Sequence, residues 1–402
     1  MSRVVLLSPF APVREGRHGA VLAIRGLAAA LAESHELVLV YPGPPQEIDP
    51  ELERRCLEVV AAGARGRGPA SLRLRRAGAL LTGRTVWSAD GGVRAMRAWA
   101  REQGHRFSPE VVQAEFTRLA AVALAVRGRP ASVLTIHEPA AAQAHGSRAG
   151  DRWSDRAAHR LDVRATLREE RRALAGVDAV AVFGDEDREI VARTTGPGRD
   201  VAVIPLATDL PEAALSATGA DPPTLLFVGS FRHPPNVEAA LRLGRSILPL
   251  VRAEQPQVTL DVVGAEPPPE VAALASDVVR VHGEVADLTD LTDRAAVVAA
   301  PIGSGGGTRV KVLHALAAGK AVVTTTRGAA GIAAPAGEAI ALADDDEGFA
   351  AAVARLVADP RERERLGRNA RSWAARELSW ALMARRYGEL YAAAAAAAAR
   401  PR

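Results

Sequence analysis

Ala299-Ala-Pro-Ile-Gly-Ser-Gly-Gly-Gly-Thr-Arg-Val-Lys-Val-Leu-His-Ala-Leu-Ala-Ala-Gly-Lys320 runs straight into Ala321-Val-Val-Thr-Thr325, and this stretch decides how the chain is read. An apolar strand over 295–300 empties into a glycine loop. The loop opens a helix with Arg309 and Lys311 in its first turns, the helix stops at Gly319, and a second apolar strand follows. Glycines let backbone N–H groups come close to a ligand, and a helix start adds partial positive charge. With two cations beside it, the loop is a cradle for a diphosphate. The spacing is neither GxxxxGK[ST] nor GxGxxG, so it points to a different class of nucleotide user.

Working outward, 402 residues are too many for one ordinary domain and suit two of roughly 180–200. Aromatic residues make up only 4%, so both cores must be built from Ala, Val and Leu. The richness in Ala and Arg reads as genomic composition. A net charge of +4, dispersed over many residues of both signs, does not mark a nucleic-acid binder. Cys56 is the only cysteine, which excludes a disulfide framework and a thiolate metal site. Within Glu51-Leu-Glu-Arg-Arg-Cys-Leu-Glu-Val-Val60 it reads as a small core residue on a helix. The apolar run at Val4–Leu7 is too short for a leader and reads as a first strand. No window is long and apolar enough to span a bilayer, so the cytoplasm is the expected compartment.

Short apolar strands alternate with helical stretches, as in parallel βα units. The strands read as Arg3–Leu7, Glu36–Tyr41, Val111–Glu115, Val133–Ile136, Ala179–Phe183 and Val201–Pro205. A second set reads as Leu225–Val228, Thr259–Val263, Val278–Val281, Ala295–Ala300 and Ala321–Thr325. A helix over 18–33 sets Val21, Ile24, Leu27, Ala28 and Leu31 on one face, and one over 347–358 buries Phe349, Val353, Leu356 and Val357. Pro211, Gly219, Pro222 and Pro223 mark a boundary. The expected domains are 1–207, which would bind an acceptor, 208–380, which would bind a nucleotide, and a terminal helix over 381–402 returning to the first. Two doubly wound sheets in tandem are expected to face a cleft from their strand carboxyl ends. The segment 59–89 carries six arginines and no acid. It reads first as a solvated face, and second as a contact for an anionic acceptor or for the inner membrane surface as a peripheral protein.

The second half carries Leu226-Phe-Val-Gly-Ser-Phe231, His233-Pro-Pro-Asn236, Asp261-Val-Val-Gly264, His282-Gly-Glu-Val-Ala-Asp287, Gly305-Gly-Gly-Thr-Arg-Val-Lys311, Ala315-Leu-Ala-Ala-Gly319, Gly328-Ala-Ala-Gly-Ile332 and Ser379-Trp380. In that order the chain resembles the GT-B glycosyltransferases of family 4, in the bacterial branch with a GGGTRxK loop. The first half is similar through Leu6-Leu-Ser-Pro-Phe-Ala-Pro12, a loop holding Gly16, Arg25, Thr135-Ile-His-Glu-Pro139 and Val203-Ile-Pro-Leu-Ala-Thr-Asp209. The resemblance implies an α/β GT-B fold of two Rossmann-like domains and transfer of a sugar from a nucleotide-diphosphate sugar to an acceptor. It also implies retention at the anomeric carbon, no metal and no cofactor beyond the donor itself. The acceptor it leaves open: a sugar, a lipid-linked sugar or a small molecule. Two other classes stay in view, a nucleotide-sugar epimerase-like enzyme and a non-catalytic GT-B partner subunit.

Residue by residue, the resemblance gives His137, Arg309 and Lys311 to the reaction. It gives Gly229, Arg232, Gly283, Val285, Gly305, Gly306, Gly307, Thr308 and His314 to the donor, and Gly16, Arg17 and Glu138 to the acceptor. Arg309 and Lys311 would meet the charge of the departing diphosphate. Arg232 reads equally as a surface residue, and Asn236 reads as a helix N-cap. Many members of the family carry two acids, seven residues apart between them, around the glycine loop; here Gly306 and His314 hold those places. Neutral imidazole offers one donor and one acceptor where a carboxylate accepts twice. Asp344-Asp-Asp346 and Asp185-Glu-Asp187 look like metal triplets and read as helix-start acids.

Overall fold

The computed structural model describes residues 1–13, 19–46, 48–63, 78–79, 85, 91–142, 153–195 and 200–399. Gly16, Arg17 and most of the arginine-rich 59–89 segment lie outside the described residues. The chain divides into two compact units, one of Met1–Ala207 with Trp380–Arg402, the other of Thr208–Ser379.

In the first unit the strands are β1 (Arg3–Leu7), β2 (Glu36–Pro42), β3 (Glu58–Ala62), β4 (Val111–Glu115), β5 (Ala131–Ile136), β6 (Ala179–Val182) and β7 (Ala202–Val203). Among the described residues they form one parallel sheet in the order β3-β2-β1-β4-β5-β6-β7. The second unit holds β8 (Thr224–Val228), β9 (Thr259–Val263), β10 (Val279–Gly283), β11 (Ala295–Ala300), β12 (Val322–Thr324) and β13 (Ala341–Leu342). These too pair in parallel, in the order β10-β9-β8-β11-β12-β13. Helices cover the sheets, so central strands are buried on both faces, which is why they read as unbroken runs of Val, Leu and Ala. In each unit the strand order reverses beside the first strand. Ligands of such sheets bind at that reversal, outside the strand carboxyl ends. The reversal lies between β1 and β4 in the first unit and between β8 and β11 in the second.

Most elements fall where the apolar pattern puts them, with two corrections. The 51–60 stretch is not one helix: a helix spans Pro50–Arg55, Cys56 caps its C-terminus, and β3 follows. The β-branched pair Val59-Val60 favours the strand, and pairing to β2 completes it. Asn236 is not an N-cap. The helix Pro234–Arg242 starts two residues earlier with His233 as its cap, because Pro234 and Pro235 occupy its first positions at no cost in lost N–H bonds.

The last helix, Trp380–Ala398, packs on the Gly19–Ser34 helix and on β5 in the first unit. The two helices meet so closely that a Cβ on Gly26 would lie 2.2 Å from Cζ2 of Trp380. The polyalanine run 392–398 extends this helix. In the second unit three cationic side chains hold the opening segment by its carbonyls. Arg371 donates to Pro211 O at 2.5 Å, Lys320 Nζ to Ser216 O, and Arg363 Nη2 to Thr218 O at 2.9 Å. Lys320 and Arg363 are both buried and find enough carbonyl oxygens to satisfy their donors.

Candidate functional site

In the second unit the glycine loop follows β11 and Gly229 follows β8, so the two flank the strand-order reversal. Gly305 and Gly307 have φ of +86° and +75°, a backbone region that other residues rarely adopt. The helix Val310–Ala317 starts directly after Arg309, which is its N-cap residue and lies one position outside its first turn. The first N–H groups of that helix have no intrahelical acceptor and face outward from its start. Thr308 adds a hydroxyl that is buried and has no hydrogen-bond partner among the described residues.

The two cations of the loop are held differently. Arg309 is buried, and its guanidinium turns back on the loop, donating to the carbonyls of Gly306 and, at 3.4 Å, Ser304. It fixes the loop's shape and keeps a positive charge beneath it. Lys311 is half-buried. Its Nζ donates to Asn236 Oδ1 at 2.5 Å and sits 4.8 Å from the centroid of the Phe227 ring. Asn236 Nδ2 donates to Ser230 O at 2.8 Å, which aims Oδ1 at the ammonium. Desolvation, helped by the charge of Arg309, lowers the Lys311 pKa to about 7. Gly229 lies directly against this pair: a Cβ there would meet Lys311 Nζ and Asn236 Cγ, each at 2.8 Å.

The other residues expected on the donor are spread around this centre. Gly283 ends β10 with φ +66°, its carbonyl accepting from Gly264 N at 2.8 Å, and Val285 follows half-buried. His314 is partly exposed on the 310–317 helix, but the packing around its ring desolvates it and lowers its pKa, against an opposing pull from Asp209. Arg232 is exposed and paired with Glu266, the surface alternative of its two readings. The acid triplets are at helix starts. Asp345 caps the Asp346–Ala358 helix through Gly348 N at 2.6 Å, and Asp185-Glu-Asp187 forms the first turn of Asp185–Thr195. Among the described residues no group of three His, Cys, Asp or Glu side chains could hold a metal ion.

In the first unit His137 follows β5, with Glu138 half-buried beside it. Its ring stacks on Phe116 at 3.8 Å between centroids and meets Phe183 edge-on at 4.9 Å. His137 Nε2 is 2.6 Å from Oε2 of the buried Glu115, the last residue of β4. The chain continues from Glu115 through Phe116, which holds a positive φ of 71° to lay its ring under the imidazole. Behind Glu115, Gln113 Nε2 donates to Glu115 Oε1 at 2.5 Å and reaches Thr135 Oγ1 at 3.2 Å. Tyr391 donates to Gln113 Oε1, and the Tyr387 hydroxyl is 3.0 Å from Thr135 Oγ1. Burial pushes both tyrosines well above their ordinary pKa, so both remain hydroxyl donors. A polar chain thus runs from the terminal helix to the histidine. Sequence reading did not single out Glu115, Gln113 or the two tyrosines. The available signal was Gln113 and Glu115 at alternate positions of an otherwise apolar strand.

Two parallel sheets of this order, each with its site at the strand reversal, define a tandem pair of Rossmann-like nucleotide-binding folds. Two family models match the chain, Glycosyltransferase Family 4 over residues 17–212 and Glycosyl transferases group 1 over residues 222–359. The chain belongs to the GT-B glycosyltransferases. Sucrose-phosphate synthase from Thermosynechococcus elongatus superposes with a TM-score of 0.71 at 19% identity, covering 98% of both chains. Anabaena HepE in complex with UDP and glucose gives 0.65 at 14%, covering 97% of this chain and 99% of its own. The α,α-trehalose 6-phosphate synthase of Burkholderia multivorans gives 0.65 at 15%, covering 99% and 100%. At these identities the likeness is one of fold. No curated protein matches the chain by sequence. Among the described residues no helix is long and apolar enough to cross a membrane.

Proposed function

We infer that the protein transfers a sugar from a nucleoside-diphosphate sugar to an acceptor hydroxyl, with retention and without a required metal ion. The observation that carries this reading is the cradle after β11. The Lys311 ammonium, held by Asn236, lies against Gly229, and the glycine loop and the start of the 310–317 helix adjoin it in sequence. As the bond from the anomeric carbon to the diphosphate oxygen breaks, negative charge grows on the leaving group. Fixed N–H donors and cations meet that charge without reorganising. Lys311 would set its ammonium against the leaving diphosphate without giving up a proton, and Arg309 holds the loop in shape. HepE was crystallised with UDP, which makes uridine diphosphate the first ligand to try.

His137 would serve the acceptor side. With Nε2–H given to Glu115, Nδ1 is the ring nitrogen left to meet a substrate hydroxyl. The acceptor's own proton would leave with the diphosphate, so no protein nucleophile is needed.

Calorimetric titration of the chain with UDP, ADP and GDP, each with and without EDTA, tests the reading. One of them should bind in both conditions. Lys311→Ala should weaken that binding about tenfold or more, the loss of a charge-assisted contact worth about 1.5–3 kcal/mol, and Arg309→Ala should weaken it by loosening the loop whose carbonyls it holds. Affinity unchanged in both variants, or lost in EDTA and regained with magnesium, would refute it.

A further inference from the structure

Among the described residues no carboxylate pairs with Lys311. Its Nζ touches an amide oxygen on the 234–242 helix and the face of Phe227 on β8, and the nearest charge on its own loop is the cation of Arg309. The acids on the elements packed around it are engaged elsewhere. Glu238 accepts from the Ser304 hydroxyl at 2.7 Å, Asp346 pairs with Arg242, and Asp261 on β9 is taken by Arg280 and His282 of β10. His233 and His314, the two imidazoles on the flanking helices, carry no negative charge. An ammonium that is half-buried against an aromatic face loses part of its hydration, and without a counter-ion nothing in the free protein replaces it.

We propose that Asn236 is a positioning residue that holds Lys311 in a deliberately uncompensated pocket, and that the diphosphate of the donor is the missing counter-ion, so that its binding draws a proton onto Lys311. The proposal rests on the glycosyltransferase reading above and adds to it a role for Asn236 and a proton linkage. An aspartate at 236 would satisfy the ammonium in the empty protein and repel the ligand. Asparagine offers the same geometry, pinned by Ser230 O, without the charge. The low Lys311 pKa of about 7 agrees with this geometry. The sign follows from linkage: above pH 7 the free protein binds less than one proton at Lys311, and the complex, with its phosphate partner, binds a full one. Affinity should therefore fall as pH rises from 7 to 9, by up to about tenfold per unit. Free nucleoside diphosphate is fully ionised there and adds no proton of its own, since phosphate second ionisations lie near 6.

Calorimetric titration of the full chain with UDP, ADP and GDP at pH 8, in Tris and again in HEPES, reads the protons taken up per site from the difference in apparent enthalpy. For the native protein the expected uptake is about 0.9 proton, the neutral fraction of a group with a pKa of about 7 at that pH. Asn236→Asp should take up almost none and bind more weakly. Asn236→Ala should keep the uptake while losing affinity severalfold, because the ammonium is loosened but still lacks a counter-ion. Binding without proton uptake in the native protein overturns the proposal and leaves the functional reading standing, as does equal uptake in all three proteins. Failure of all three nucleotides to bind the native protein overturns both.

Discussion

Replacing Glu115 separates the two things its carboxylate does. Both of its neighbours in the first unit, Gln113 Nε2 and His137 Nε2, sit where they must donate. Gln113 cannot turn over to oblige, because Tyr391 donates to its Oε1 and Thr135 receives its Nε2. In Glu115→Gln the new amide must therefore point its oxygen at Gln113 and its NH2 at His137. The imidazole then has to accept at Nε2 and carry its proton on Nδ1, the reverse of the native tautomer. Two charge-assisted bonds become neutral ones, at about 1 kcal/mol each, or about 2 kcal/mol in all. For a unit of this size that lowers Tm by about 4–8 °C. Glu115→Leu leaves both donors buried and bare, at about 1–3 kcal/mol apiece. The assay is thermal unfolding of the three proteins, with 15N correlation spectra of the histidine ring to read the tautomer. An unchanged tautomer in Glu115→Gln, or a leucine variant as stable as the native protein, would refute the argument.

Gly26→Ala should cost about 1–3 kcal/mol despite the better helix propensity of alanine, since its Cβ would lie 2.2 Å from Trp380. Trp380→Leu in the same chain should recover part of that loss in urea unfolding, a non-additivity that a remote effect would not show. His314→Glu should shift stability by less than about 0.5 kcal/mol, because the position is exposed. The His314 pKa is lowered, so the ring is already neutral above pH 7. The decline in nucleotide affinity between pH 7 and 9 should therefore keep its slope in this variant, and a flattened profile would show that His314 and not Lys311 carries it.

The architecture was legible because parallel strands buried on both faces announce themselves as apolar runs, as Val111-Val112 and Ala295–Ala300 do. β3 was not, because Glu58–Ala62 is short and half-buried, sits at the edge of its sheet and follows a short helix with only Cys56 and Leu57 between them. The cradle was legible from its glycines and cations. What the cations touch was not. The contact of Lys311 with Asn236 joins residues 75 positions apart, and the turn of Arg309 onto its own loop depends on backbone angles that spacing does not encode. The polar chain behind His137 was hidden for the same reason: Tyr391 and Gln113 are 278 positions apart.

The terminal helix returns to the first unit, so the chain enters the second unit after Ala207 and leaves it again before Trp380. On the ribosome, the sheet of the first unit is complete long before the helix that closes it exists. The intervening residues take roughly 10–30 s to make at ordinary elongation rates. Throughout that interval Thr135 and Gln113 have no tyrosine hydroxyls, and the groove meant for Met383, Tyr387 and Tyr391 stands open. The second unit can be finished first, from one contiguous segment. The polar chain that runs from Tyr391 through Gln113 to Glu115 and His137 therefore closes only once the helix Trp380–Ala398 has been made.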